Sequence, residues 1–327
     1  MSDIIVNGVL SKESEALLQK YEAIQSLKEN CYNLGKVASY LRLSEDEIYS
    51  EIKRLETQEV LRRLIWLNPY ALPRPIETMN LWLTVSARDV ISVAQAVCDM
   101  PGISTIIYVS GKYSLFVKLH GRTTGALRRK TIDPESGLYS IRGISSIFST
   151  YVLQERVLQD VTVLEVPEKV KEIALELVEN GTLTSLAKDP DCYDSLETNV
   201  KNKLNTLRKS HAIEFTVQLK EKFYHLPFIS LRYPVFAYCI FPGDSHPPKN
   251  FYRYIYESAP GITDMSVPTG DIRLLIRMRS SSLPIVDQQL ASMVKWNAPT
   301  RFGKSFAFRT FKEVSIAEVI GKEWWID

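Results

Sequence analysis

Cysteine and histidine, the side chains most apt to hold zinc or drive nucleophilic attack, number four each in this chain and are widely spread. Cys31, Cys98, Cys192 and Cys239 form no CxxC pair, and His120, His211, His225 and His246 form no HxxxH or HExxH spacing. A zinc site or a disulfide framework announces itself by local ligand spacing, so neither is expected, and the cysteines are read as small buried hydrophobes. A Gly-rich loop ending in GK[ST], a GxGxxG turn and a GxSxG elbow are all absent. Phosphate-cradling and nucleophile-elbow chemistry therefore start low. No catalytic residue, metal or cofactor is expected.

What remains is polar function on regular elements. His120-Gly121-Arg122 ends an apolar run, and Arg128-Arg129-Lys130 is the densest basic run. A lone His at a strand end is ordinarily a solvated polar cap, and a basic run a solvated helix face. Asn80 and Trp82 alternate along a strand, while Phe251, Tyr252, Tyr254 and Tyr256 fall at helical spacing. Both patterns fit core or interface better than a ligand box.

The elements that carry these residues occur twice. PGISTIIYVSGKYSLFVKL, from Pro101, matches PGITDMSVPTGDIRLLIRM, from Pro260, at a constant offset of 159. Upstream, IYSEIKRLETQEVL, from Ile48, matches VKNKLNTLRKSHAI, from Val200, at an offset of 152. Two ordered blocks in the same sequence indicate duplication. With 327 residues, 45% hydrophobic and 24% charged, the chain holds several compact units and folds throughout. No apolar stretch approaches the roughly 20 residues of a membrane span, and a cytoplasmic protein is expected.

Within copy one, Leu17, Tyr21, Ile24 and Leu27 recur at helical spacing, and a second helix follows over 33–41. Ser44 with Glu47 three residues on is a capping box, opening a third helix with Ile48, Ile52 and Leu55 inward. LRRLIWL, 61–67, then reads as a strand, a wing. Copy two repeats this with helices over 167–179, 183–188 and 194–210, the last turning Leu196, Val200, Leu204 and Leu207 inward, and IEFTVQLK as its wing. Each is followed by strand, helix, two strands, helix and strand: a ferredoxin-like βαββαβ order. The expected fold is α+β, with two winged-helix-like helix-turn-helix modules (1–68 and 165–222) and two βαββαβ modules (76–164 and 233–314) in tandem. A tail follows at 315–327.

A helix-turn-helix leading into βαββαβ, with Lys53-Arg54-Leu55-Glu56 closing the third helix and a PGI…[ST]G…L pattern in the middle strands, resembles the Lrp/AsnC family of transcriptional regulators, here in tandem form. The resemblance implies double-stranded DNA as partner, an effector such as an amino acid, and pairing through the sheets as a homo-oligomer or an intrachain pseudo-dimer. It places the third helices in a major groove, offering donors to bases and charge to phosphates. Copy two would contribute Thr198, Asn199, Lys201, Asn202, Lys203, Arg208 and Lys209, and copy one Lys53 and Arg54. The family's small-molecule turn corresponds to Gly111, Tyr113 and Ser114 in copy one and to Gly270, Asp271 and Arg273 in copy two. At the turns the glycines serve backbone geometry.

The copies differ in chemistry. Glu45, Asp46, Glu47 and Glu51 crowd the third helix of copy one, which phosphate would repel. Residues 1–66 and 165–222 each hold 9 Lys and Arg against 11 Asp and Glu, whereas 67–164 and 223–327 each carry a surplus of three positive charges. Copy two is the expected DNA reader. Two other classes stay open. His120-Gly121-Arg122 resembles a stretch of siroheme decarboxylases, although KYSLFV, 112–117, stands where those enzymes have a WPYN-like run. The acidic first head also suits a co-regulator that binds protein alone.

Overall fold

The computed structural model describes residues 5–6, 9–10, 44–57, 61–155, 166–189, 192–219, 233–240, 262–269, 274–280 and 301–320, and positions 284, 287, 288 and 291. The first two helices expected in copy one, and the helix expected over KNFYRYIYESA, lie outside them. PIVDQQLASMVKW is described only at those four positions, all helical.

A short antiparallel pair, β1 (Ile5–Val6) and β2 (Val9–Leu10), precedes α1 (Glu45–Thr57). The start of α1 is the expected capping box: the Ser44 amide donates to the Glu47 carboxylate at 2.8 Å, and the Glu47 amide donates to Ser44 Oγ at 3.2 Å. Ile52 and Leu55 are buried. Glu56 then clamps the following strand, β3 (Leu61–Leu67), by accepting from Arg63 Nε at 2.6 Å.

Next come β4 (Glu77–Val85), α2 (Val90–Cys98), β5 (Ile103–Val109), β6 (Leu115–Gly121), α3 (Thr124–Ile132) and β7 (Ile144–Glu155). Val90, Val93, Ala94 and Val97 fall on one face of α2 and bury it against the sheet. Thr123 starts α3 by accepting from the Ala126 amide at 3.1 Å.

The second head consists of α4 (Glu168–Glu179), α5 (Thr182–Lys188), α6 (Cys192–Ser195) and α7 (Thr198–Lys209). The single helix expected over 194–210 is broken, because Glu197 takes an extended backbone, with φ −60° and ψ 149°, between α6 and α7. Leu204 and Leu207 are buried as expected, with Leu196 and Val200 packed against them. Strands β8 (Ile213–Leu219), β9 (Tyr233–Ile240), β10 (Ile262–Pro268), β11 (Leu274–Ser280) and β12 (Arg301–Glu313) follow, then α8 (Ile316–Val319).

Eight strands close into one antiparallel barrel in the order β10-β11-β9-β12-β5-β6-β4-β7, with β7 returning to β10. The closure is reciprocal. Long β7 pairs with β4 of its own copy and β10 of the other, and long β12 pairs with β9 and with β5. Every edge strand of one sheet is thus satisfied by the other, which removes the exposed edges an open sheet would carry. The chain is therefore a mixed α+β protein built on antiparallel sheet.

The strands expected to be wings serve differently. β3 and β8 pair with each other from Leu61↔Leu219 to Leu67↔Ile213, forming a two-stranded ribbon. One edge of each strand is taken by the other, which links the two heads.

Among the described residues, three apolar clusters stand out. Met79, Leu81, Leu83, Val117 and Leu119 pack under α2 and α3. Trp82, Ile107, Val109, Phe116 and Leu275 meet inside the barrel. Around the second head, Leu177, Leu183, Leu186, Leu204 and Leu207 pack with Ile65 and Leu67 of β3 and with Ile316 and Ile320. Full burial of each such side chain contributes about 1.5–3 kcal/mol. Residues 315–320 begin the stretch expected as a tail, yet a capping box between Ser315 and Glu318 folds them into this core.

Candidate functional site

Helix α7 is positioned by its buried Leu204 and Leu207, which turn the polar residues outward. Thr198, Asn199, Asn202 and Lys209 are exposed, while Lys201, Lys203 and Arg208 are half-buried. Two of those cations are engaged within the head. Lys203 forms an ion pair with Glu176 of α4, and Lys201 Nζ lies 5.7 Å from the centre of the Tyr193 ring. The outward chemistry of α7 is thus mainly amide and hydroxyl, with one exposed ammonium. On α1, Lys53 Nζ stands 5.1 Å over the Tyr49 ring, and Arg54 is half-buried.

The turn between β5 and β6 has Gly111 at φ +99°, a conformation that L side chains adopt only with strain. Its neighbours are drawn inward. Tyr113 stacks on Phe148 at 5.9 Å between ring centres and lies 6.0 Å from Trp82. Ser114 Oγ donates to the Val85 carbonyl at 2.8 Å, and its amide donates to the Leu83 carbonyl, so it fixes the end of β4. Gly270, Asp271 and Arg273 lie outside the described residues.

His120 is not the solvated cap that its strand-end position suggests. It is fully buried, with Nδ1 3.0 Å from Thr78 Oγ1 and Nε2 2.6 Å from Ser104 Oγ. Burial, with Lys118 and Lys130 nearby, lowers its pKa to about 3. The imidazole is neutral at physiological pH. Arg128 and Arg129 are exposed, as expected of a helix face, whereas Lys130 donates to the Pro101 carbonyl at 3.1 Å and burial lowers its pKa. Cys98 and Cys192 are free thiols, half rather than fully buried, and burial raises the Cys98 pKa.

The barrel interior holds a polar group that the sequence pattern had filed as core. Asn80 is fully buried, and among the described residues neither its amide nitrogen nor its oxygen has a partner. The signal was present in the alternation Thr78-x-Asn80-x-Trp82 on β4 and Phe116-x-Lys118-x-His120 on β6, which puts polar side chains on an inward face. No group of three or more His, Cys, Asp or Glu able to hold a metal occurs among the described residues, and no described helix is long and apolar enough to cross a membrane.

The architecture has counterparts among solved structures. The siroheme decarboxylase NirDL shares 14% identity at a TM-score of 0.55, over 96% of this chain and 97% of that one. Its co-complex with an iron-uroporphyrin III analogue gives 14% and 0.51, over 93% of this chain and 97% of that one. AsnC of E. coli aligns with 47% of this chain and 96% of its own, at 18% identity and a TM-score of 0.33. At such identities the likeness to NirDL is one of fold. No protein-family profile and no curated protein matches the chain.

Proposed function

We propose that the chain is a DNA-binding regulator of Lrp/AsnC type, with two helix-turn-helix heads and two βαββαβ modules in tandem forming a pseudo-dimer within one polypeptide. The observation that carries this reading is the outward face of α7, where Thr198, Asn199, Asn202 and Lys209 are exposed on a helix anchored by Leu204 and Leu207. Amides and hydroxyls on a rigid helix suit base edges, and Lys209 suits a phosphate. The first head contributes less, since Asp46 and Glu47 are exposed on α1. The glycine turns and Tyr113, Ser114, Asp271 and Arg273 remain the proposed effector region.

The test is a gel shift with fragments of genomic DNA, repeated over a salt series. Binding should weaken as salt rises, and Lys209→Glu should weaken it further without unfolding the protein. No retarded fragment at low salt would remove the reading.

A second reading, an enzyme acting on a tetrapyrrole carboxylate, is supported by the full-length fold likeness to NirDL. His120 itself is neutral and hydrogen-bonded to Ser104 and Thr78 at both ring nitrogens, so in this reading it is not the group that exchanges a proton with substrate. A change in the siroheme absorption spectrum on mixing, followed by loss of carbon dioxide, would favour it over the regulator.

A further inference from the structure

Helix α4 lies beside α7 in the second head, held by Val170, Ala174, Leu177 and Val178 on its buried face. Its opposite face is acidic. Glu168, Glu172, Glu176 and Glu179 are all exposed and, spaced three or four residues apart, form one stripe. The helix also carries two cations, Lys169, which is exposed, and Lys171, which pairs with Glu168 at 2.7 Å. Local helix energetics do not favour the stripe. Carboxylates at this spacing repel one another, and Glu176 and Glu179 lie in the last turn, where the helix dipole favours cations and α4 has none.

Through Glu176 the stripe reaches α7. Its carboxylate pairs with Lys203, and the two side chains are 52% and 26% exposed, so solvent reaches the pair. Lys203 stands on the flank of α7 in line with Asn199, one turn before it, and Thr206, one turn after, both exposed. Its ammonium therefore lies at the border between the head's own acid and the polar face that carries Asn199 and Asn202. A flexible four-carbon stem lets it turn either way. The head as a whole, residues 165–222, holds 11 Asp and Glu against 9 Lys and Arg, so it has no surplus of positive charge to draw it to phosphate.

We propose that Glu176 restrains the grip of the second head on DNA of any sequence, by holding Lys203 on the protein and off the phosphates. The proposal rests on the regulator reading of α7. The ion pair withdraws one cation from the sequence-independent part of binding. That leaves the hydroxyl and amides of Thr198, Asn199 and Asn202 to decide where the helix settles.

The test is fluorescence anisotropy over a salt series with two labelled duplexes, a genomic fragment and a scrambled version of it. The full chain is compared with Glu176→Gln, Lys203→Gln and the double variant. Glu176→Gln should bind both duplexes about threefold to tenfold more tightly at low salt, with a slope of log affinity against log salt steeper by about one. Lys203→Gln should leave affinity and slope close to the parent's, and the double variant should match Lys203→Gln. All four should melt close together, since exposed ion pairs contribute little to stability. If the parent binds and Glu176→Gln binds no more tightly, the proposal is overturned and the regulator reading stands. A double variant that keeps the gain of Glu176→Gln also overturns it, because Glu176 would then act by repelling phosphate and not through Lys203. Absence of binding by all four proteins removes the proposal and the regulator reading together.

Discussion

Arg62 of β3 donates to the backbone carbonyl of Glu313 on β12 at 3.2 Å, tying the ribbon between the heads to the barrel. The same guanidinium pairs with the carboxylate of Glu318 in α8. Because the Glu313 side chain holds Arg277 of β11, one residue of β12 joins the ribbon to both the barrel wall and a second barrel strand.

Arg62→Met should therefore lower stability by about 1–3 kcal/mol, the range for hydrogen bonds to a charged group with its carboxylate partner left largely covered. Urea unfolding followed by tryptophan fluorescence reads this directly. An unchanged midpoint would show that the tether adds nothing to the fold.

Acid should act through His120. Its folded pKa, about 3, lies below the ordinary value of 6.5, so protonation favours the unfolded chain. The contribution of the neutral ring is intact above about pH 6.5 and is lost progressively as pH falls toward 3, amounting to something on the order of 4 kcal/mol. His120→Asn should be less stable at neutral pH yet lose less between neutral and mildly acid buffer. Parallel pH curves for parent and variant would contradict this.

Gly111→Ala should cost about 1 kcal/mol from backbone strain alone. An added Cβ would meet only Ser305 Oγ, at an ordinary 3.7 Å. Thermal melts of the variant check the figure, and a loss several times larger would mean a steric role for the turn.

On α7, the ion pair of Lys203 with Glu176 separates two effects that a charge reversal would confuse. Lys203→Glu sets two carboxylates together and should destabilise the head by itself. Lys209→Gln should leave stability within about 0.5 kcal/mol of the parent and reduce the slope of log affinity against log salt by about one. A change in melting temperature without a change in salt slope would count against a phosphate contact at Lys209.

Much of the layout was legible because it rests on local pattern. Ser44 and Glu47 announced α1, the apolar spacing of Leu204 and Leu207 gave the inner face of α7, and alternation marked β4, β5 and β6. Features set by distant partners were hidden. Nothing near LRRLIWL indicates that Leu64 will pair with Thr216, so the strand looked like a wing. Nothing near His120 indicates that Thr78 and Ser104 will enclose it. The break at Glu197 was missed because the apolar spacing continues from Leu196 to Val200 across it. The alternation of Asn80 and Lys118 was in plain view, but that they stand level with each other and with Thr105 needs the strand register.

The reciprocal pairing of β7 with β10 and of β12 with β5 changes how the assembly responds to scarcity. Two separate chains joined by such strands would come apart on dilution, their pairing governed by mass action. Here the partner strand is always on the same polypeptide, so the barrel stays closed at a single copy per cell. A substitution also alters one side of the pair alone, which leaves each half free to take up a task the other does not share.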